Sequence, residues 1–372
     1  MFKDISYYKP DVDSCVERIR RFFSSPPGTL GPLLYTFPGV LEAKGPRLDS
    51  YDYETQLTQY LDDYLEYQAE LMEMRRGLED DWVPAVGPYL GIGEYSAFVA
   101  GEIEFGPDTS WVQPVLPDKE ALDSLKLDPR NKWFLMLNLA TRYMVERIAP
   151  YRIPFARGYY SPLDLAWSLR GEAIYLDLYE DPAWVHKLLG FCVDAIDWFA
   201  RAQNAQVFRD GLVHKFASLH TAPDRIAISE DIASLCSPSH YVEFGLPYTQ
   251  ELIRRFGQCD IHCHSAGAHA VPEFLKLRGL RQLQIVDDPN QRRPVTILEE
   301  LIQRIPSLTD GTADTPALAI NASAEEVEQC FELASKAKVV FCVTTATRAE
   351  AEEVISMFKA MLRARTPRTA GA

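Results

Sequence analysis

Residues Cys259–Gly267, CDIHCHSAG, are a short apolar run that ends in two histidines, two residues apart, just before a small-residue turn. In a strand, side chains at i and i+2 share a face. His262 and His264 therefore converge on one point while Cys263 faces away. That is how a ligand set or an acid/base pair is built; two imidazoles hydrogen-bonded to loop carbonyls is the other reading of the same spacing.

Around this stretch the chain alternates short apolar runs with longer helical patterns, the sequence form of repeated βα units on a parallel sheet. The expected strands are Val83–Gly87, Ile153–Ala156, Leu212–Phe216, Arg225–Ser229, Cys259–Cys263, Leu280–Val286, Ala317–Ile320 and Val339–Val343. Eight is the number of a closed (β/α)8 barrel. The gap between Phe216 and Arg225 is too short for a crossover helix, which puts one of those two strands in question. Helix starts are well punctuated. Ser237-Pro238 reads as an N-cap with proline at the first helical position, and the stripe Tyr241, Phe244, Tyr248, Leu252, Phe256 stops at Gly257. Ser323 with Glu326 and Thr347 with Glu350 fit capping boxes.

Before the barrel, Leu57, Tyr60, Leu61, Tyr64, Tyr67 and Leu71 recur at three- and four-residue steps, an amphipathic helix. SSPPGTLGPLLYTFPGV reads as a loop. The expected organisation is a helical extension over 1–80 packed on the barrel, the barrel over 81–365, and a disordered tail over 366–372.

With 372 residues, 47% hydrophobic and 24% charged, the chain has the composition of a globular protein with room for a large core. Its net charge of −15 disfavours nucleic acid and anionic membranes as partners, because both demand basic surface. Seven cysteines, an odd number without CxxC pairs, argue against a disulfide framework or a closed zinc ribbon. No apolar run reaches the length of a membrane span and the first residues carry no apolar signal core, so the expected address is the cytoplasm.

Catalytic groups of a (β/α)8 barrel sit at the C-terminal strand ends and in the loops after them. Those positions here hold Arg157, Tyr160 and Asp164; Glu230 and Asp231; His262, His264 and His269; Asp287 and Asp288; and Cys342. Asp164 reads equally as a helix cap, Glu230-Asp231 as a capping pair, Asp287-Asp288-Pro289 as a turn, and Cys342 as a buried small hydrophobe. Two chemistries fit the set. Imidazoles with a thiolate or carboxylate and one open position describe a catalytic zinc site. Alternatively, a carboxylate with Arg157 or Arg152 suits metal-free decarboxylation or lyase chemistry on a small acid.

The segments GEIEFGPDTSWVQPVLPDKEALDSLKLDP (101–129), SPLDLAWSLRGEAIYLDLYEDPAWVHKLL (161–189), SEDIASLCSPSHYVEFGLPYTQELI (229–253), the HSAG of 264–267 and the closing TRAEAEEVISMF resemble the uroporphyrinogen decarboxylase superfamily, which includes cobamide-dependent methyltransferases. The resemblance spans residues 82–365 and implies a single (β/α)8 barrel. The methyltransferase branch binds zinc through an HxCG motif and a later cysteine; His264 matches the histidine, Ala266 stands at the cysteine position, and Cys342 approximates the later thiol. His262 or His269 is then needed to complete the ligand set. The RxAGR motif of the decarboxylase branch is missing, which makes a polycarboxylate tetrapyrrole a poor substrate. What the resemblance implies is methyl transfer from a corrinoid protein or small donor to a thiol-type acceptor. In that reading His262, His264 and Cys342 are metal ligands, Asp164, Asp231 and Tyr160 are catalytic, and Arg157, Glu230, His269 and Asp288 bind substrate. A homodimer and a non-catalytic tetrapyrrole-binding subunit belong to the same field of readings.

Overall fold

The computed structural model describes residues 2–39, 44–208, 221–308 and 311–365. Nine strands are present among them: β1 (Leu33–Pro38), β2 (Ile103–Phe105), β3 (Ser110–Val112), β4 (Tyr159–Tyr160), β5 (Arg225–Ser229), β6 (Gln258–His264), β7 (Leu280–Val286), β8 (Ala317–Asn321) and β9 (Val339–Thr345). Seven form one sheet in the order β1-β9-β8-β7-β6-β5-β4, every pair parallel, while β2 and β3 make a separate hairpin. The chain is a mixed α/β protein. Parallel neighbours need crossovers; helices Pro182–Val207, Leu246–Phe256, Pro294–Leu308 and Ala324–Ala334 supply four, and between β6 and β7 the short helical turns Ser265–Ala270 and Val271–Phe274 supply the fifth.

Five expected strands are present within a residue or two at each end. Residues Leu212–Phe216 and the tail 366–372 lie outside the described residues. The largest correction is β1, which falls in the stretch read as a loop and pairs along its whole length with β9, Leu33 opposite Val340. Its prolines and glycines punctuate only the ends; LLYTF between them is continuous β-former. Helix Tyr53–Met74 buries Leu57, Tyr60, Leu61 and Leu65 on one face, as its periodicity requires.

Two expected strands, Val83–Gly87 and Ile153–Ala156, shrink to a single parallel bridge between Val86 and Phe155. Pro84 and Pro154 each remove a ladder donor, which shortens what the apolar pattern promises. The two segments still run close: Val86 N–H donates to Pro154 O at 2.9 Å, and a Cβ on Gly87 would sit 1.8 Å from Ala156 O. Only glycine fits there.

The free edge of β1 is satisfied by side chains. The Leu34 amide donates to Asp81 Oδ2 at 2.9 Å and the Thr36 amide to Asp80 Oδ2 at 2.8 Å. Both carboxylates are buried, and Lys9 and Arg75 pair with Asp80 while Arg18 pairs with Asp81. Buried acids of this kind persist because each is paired and hydrogen-bonded. Among the described residues, no helix is long and apolar enough to cross a membrane. All seven cysteines are free and buried.

Candidate metal centre

Strand β6 alternates strictly: Cys259, Ile261 and Cys263 are buried under the helices, while His262 and His264 turn to the opposite face. The adjacent β5 sets Ser229 beside His262 in register, and β7 sets Gln284 beside it on the other side. Parity sorts the two acids just past the end of β5. Asp231 continues the face of Ala227 and Ser229 and meets the histidines, whereas Glu230 turns the other way. One nitrogen from each of His262 and His264 and one oxygen of Asp231 lie within 4.8 Å of one another. The imidazole rings stand edge to face with centroids 5.1 Å apart.

The outer ring nitrogens are already spoken for. His264 Nδ1 is 2.7 Å from Asp288 Oδ1, and His262 Nδ1 is 3.0 Å from Gln284 Oε1. Burial pushes the Asp288 carboxyl up, but hydrogen bonds from the Ala266 amide and the His264 ring outweigh it, and the group lies below its ordinary range. An ionised carboxylate only accepts, so Nδ1 of His264 carries the proton. Nε2 of a neutral ring is then left with its lone pair facing Asp231 Oδ1, 3.7 Å away. That is too long for a hydrogen bond and close to the ligand-to-ligand edge of about 3.3 Å in a tetrahedral zinc site. Asp231 Oδ1 is buried and has no hydrogen-bond partner. The donor set therefore fits a divalent ion: two imidazoles, one carboxylate, an open position, and a histidine oriented by an outer carboxylate.

The centre opens into a cavity of about 580 Å³ inside the curve of the sheet, bordered by Tyr35, Phe37, Trp82, Tyr95, Tyr160, His262, Gln284 and Cys342. The inner face is widened by small residues, among them Ala156, Gly158, Ala227 and Ala319, where bulkier side chains would fill it.

Several candidates take different places from those expected. Cys342 borders the same cavity from β9 but stands outside the three-residue cluster, where Asp231 takes the third place; burial pushes its thiol up to about 12. Asp164 is not a wall of the cavity. Its carboxylate lies buried beneath the turn after β5, accepting from the Ser229 hydroxyl at 2.6 Å, the Asp231 amide at 3.1 Å and the Ile232 amide at 2.9 Å. It is a positioning residue for Asp231. Burial, then the nearby Asp231 and Glu230 charges, push it well above the carboxylate range.

Glu230 is buried on the helix side, accepting from the Tyr241 and Thr249 hydroxyls, and burial raises it to about 7. It is not placed to bind substrate. Arg157 shares the face of Tyr159 and packs its guanidinium carbon 5.4 Å from the Phe199 ring centroid, with Glu94 Oε1 at 3.2 Å. It borders the cavity together with Ala156, Gly158, Tyr159 and Tyr160. Arg152 is bound to Asp4. Of the two arginines expected for metal-free chemistry on a small acid, Arg152 is held away by Asp4, while Arg157 borders the cavity beside Glu94. His269 Nε2 lies 2.7 Å from Cys236 O and ties two loops together rather than facing the cluster. Asp288 is bound to His264 and is not among the residues that border the cavity. Tyr160 does line the cavity, 5.1 Å from Tyr95, with its hydroxyl kept protonated by burial and by the Asp164 and Asp231 charges.

Two groups escape the sequence reading. Gln282 and Gln284 alternate within apolar β7, a polar i, i+2 pair that marks the inner face in the same manner as the histidines. Tyr35 and Phe37 stand at i, i+2 on β1 and are hidden when that stretch is taken for a loop. No protein-family model matches this chain, and no curated protein matches it either.

Proposed function

We propose that the protein is a metal-assisted methyltransferase built as an eight-stranded (β/α)8 barrel of the uroporphyrinogen decarboxylase superfamily. The observation that carries the reading is the convergence of Asp231, His262 and His264 within 4.8 Å at the C-terminal ends of β5 and β6. In this reading residues 80–87 and 153–158 complete the ring. Support comes from the Asp81 amide, which donates to Leu34 O at 2.7 Å, and from the Val86–Phe155 bridge. Asp231 supplies the third ligand that Ala266 cannot.

Zinc bound there would hold an acceptor thiol as its thiolate. The protein's own part is positional. Asp288 and Gln284 orient the two rings, Asp164 fixes the turn that presents Asp231, and the cavity keeps water away from the methyl donor, a corrinoid or a small methylated molecule. Seven free thiols support a reducing compartment such as the cytoplasm.

Element-resolved metal analysis of freshly purified protein tests the reading. We expect about one equivalent of zinc in the native chain and loss of it in His264→Ala and Asp231→Ala. Metal-free native protein that also fails to take up added zinc overturns it.

A further inference from the structure

We infer that the aromatic wall of this cavity is a binding site for a methyl-bearing organic cation, a quaternary ammonium group. The inference rests on the reading above only in taking the cavity as the methyl donor's seat, and it chooses a small cationic donor over a corrinoid.

Three observations converge. The first is shape: Trp82 meets Tyr35 with ring centroids 5.2 Å apart and Phe37 at 5.4 Å, both edge to face, so three rings form a cupped corner on the β1 side. Tyr95 and Tyr160, 5.1 Å apart, form a second aromatic pair on the same cavity. Ring faces carry negative quadrupole density, and two or more faces turned on one volume favour a cation stripped of water.

The second is the charge of the lining. Among the described residues, the charged side chains bordering the cavity are Arg157, Asp231, Asp260 and Arg281. Arg157 is paired with Glu94 in the helix layer. Arg281 grips Asp260 with Nε at 2.7 Å, and Arg225 stands 3.7 Å from the same carboxylate. Among the described residues, Asp231 has no lysine or arginine within salt-bridge distance; its nearest ring nitrogen is His264 Nε2 at 3.7 Å. Two arginines against Asp260 and one acid in Asp231 leave these charges balanced, so the lining offers a carboxylate or phosphate no excess positive charge, and Asp231 is its one acid without an arginine or lysine partner.

The third is the field of the whole chain. A net charge of −15 attracts small cations toward a concave, low-dielectric opening.

The ligand is therefore one with a trimethylammonium head small enough for a 580 Å³ cavity shared with the metal ligands. The probes are choline, its neutral isostere 3,3-dimethylbutan-1-ol, and the anion 3,3-dimethylbutanoate, titrated calorimetrically into chelator-treated full-length protein. Choline is expected to bind at least about fivefold more tightly than the alcohol and more tightly still than the anion. Trp82→Leu is expected to weaken choline about 3- to 30-fold, the span of a desolvated cation–π contact. Asp231→Asn is expected to weaken choline while leaving the alcohol unchanged, and it keeps the test decisive if Trp82→Leu does not fold.

Equal binding of choline and the alcohol, tighter binding of the anion, or no binding of choline overturns the inference. Because the metal is removed beforehand, choline binding survives a failure of the zinc reading. Zinc binding without choline binding defeats this inference alone.

Discussion

The Asp288 carboxylate holds His264 by one oxygen, 2.7 Å from Nδ1, while its other oxygen receives the Ala266 amide at 2.9 Å. One side chain thereby fixes both the ring that faces Asp231 and the turn that comes after β6. Asp288→Asn keeps the size but loses the anionic acceptor. Zinc affinity is expected to fall about 10- to 100-fold, the usual consequence of removing an outer carboxylate, measured by chelator competition. An unchanged affinity would show that His264 is not a ligand.

Asp164 never touches the cavity yet holds the Asp231 turn through three donors. In Asp164→Asn the amide group must face at least one N–H, and a loss of about 1–3 kcal/mol of stability is expected from chemical denaturation. Zinc affinity should fall with it, because Asp231 loses its anchor. A stability loss with undiminished metal affinity would confine Asp164 to a structural role.

Glu230 is buried, and burial lifts its carboxyl from 4.5 to about 7. The folded chain therefore binds more protons than the unfolded chain between those values, and stability is expected to decline as pH rises across that window. The whole contribution is on the order of 3 kcal/mol. Glu230→Gln keeps acceptors for the Tyr241 and Thr249 hydroxyls and should flatten this part of the profile, with a higher Tm than the native chain at pH 8.

Removing one partner of the Arg157–Glu94 pair leaves a buried charge alone. Arg157→Met is expected to cost about 3–5 kcal/mol, with much of it recovered in the double variant Arg157→Met/Glu94→Gln. If Arg157→Met folded normally and lost only ligand affinity, the guanidinium would serve the cavity's ligand rather than the ion pair.

Gly87→Ala places a methyl group 1.8 Å from Ala156 O, a backbone atom that cannot swing aside. A loss of about 2 kcal/mol or more is expected, read from the denaturation midpoint. Near-native stability would mean that the two segments lie farther apart.

The parallel α/β character and the meeting of His262 with His264 are legible in the sequence because both rest on a period of two, which parallel strands obey closely. The same period, applied one residue further, distinguishes Asp231 from Glu230 and Tyr160 from Arg157; without it, the strand ends read as unsorted polar groups. β1 is not legible because Pro32 and Pro38 frame it and suggest a loop. Val83–Gly87 and Ile153–Ala156 fail in the opposite sense: their apolar content promises ladders that Pro84 and Pro154 prevent. The partners of the outer nitrogens, Gln284 and Asp288, lie more than twenty residues from the histidines and meet them only through the β6–β7 register.

The pairing of β1 with β9 also has a bearing on biosynthesis. Leu33 and Val340 are neighbours across the ladder although about 300 residues separate them along the chain. At about 5–20 residues per second, a ribosome needs on the order of 15–60 s to deliver the second after the first. Throughout that interval LLYTF is a nascent, sticky segment with its mate still untranslated. Chaperone dependence and aggregation of stalled or truncated chains should therefore centre on the hydrophobic residues of positions 33–37.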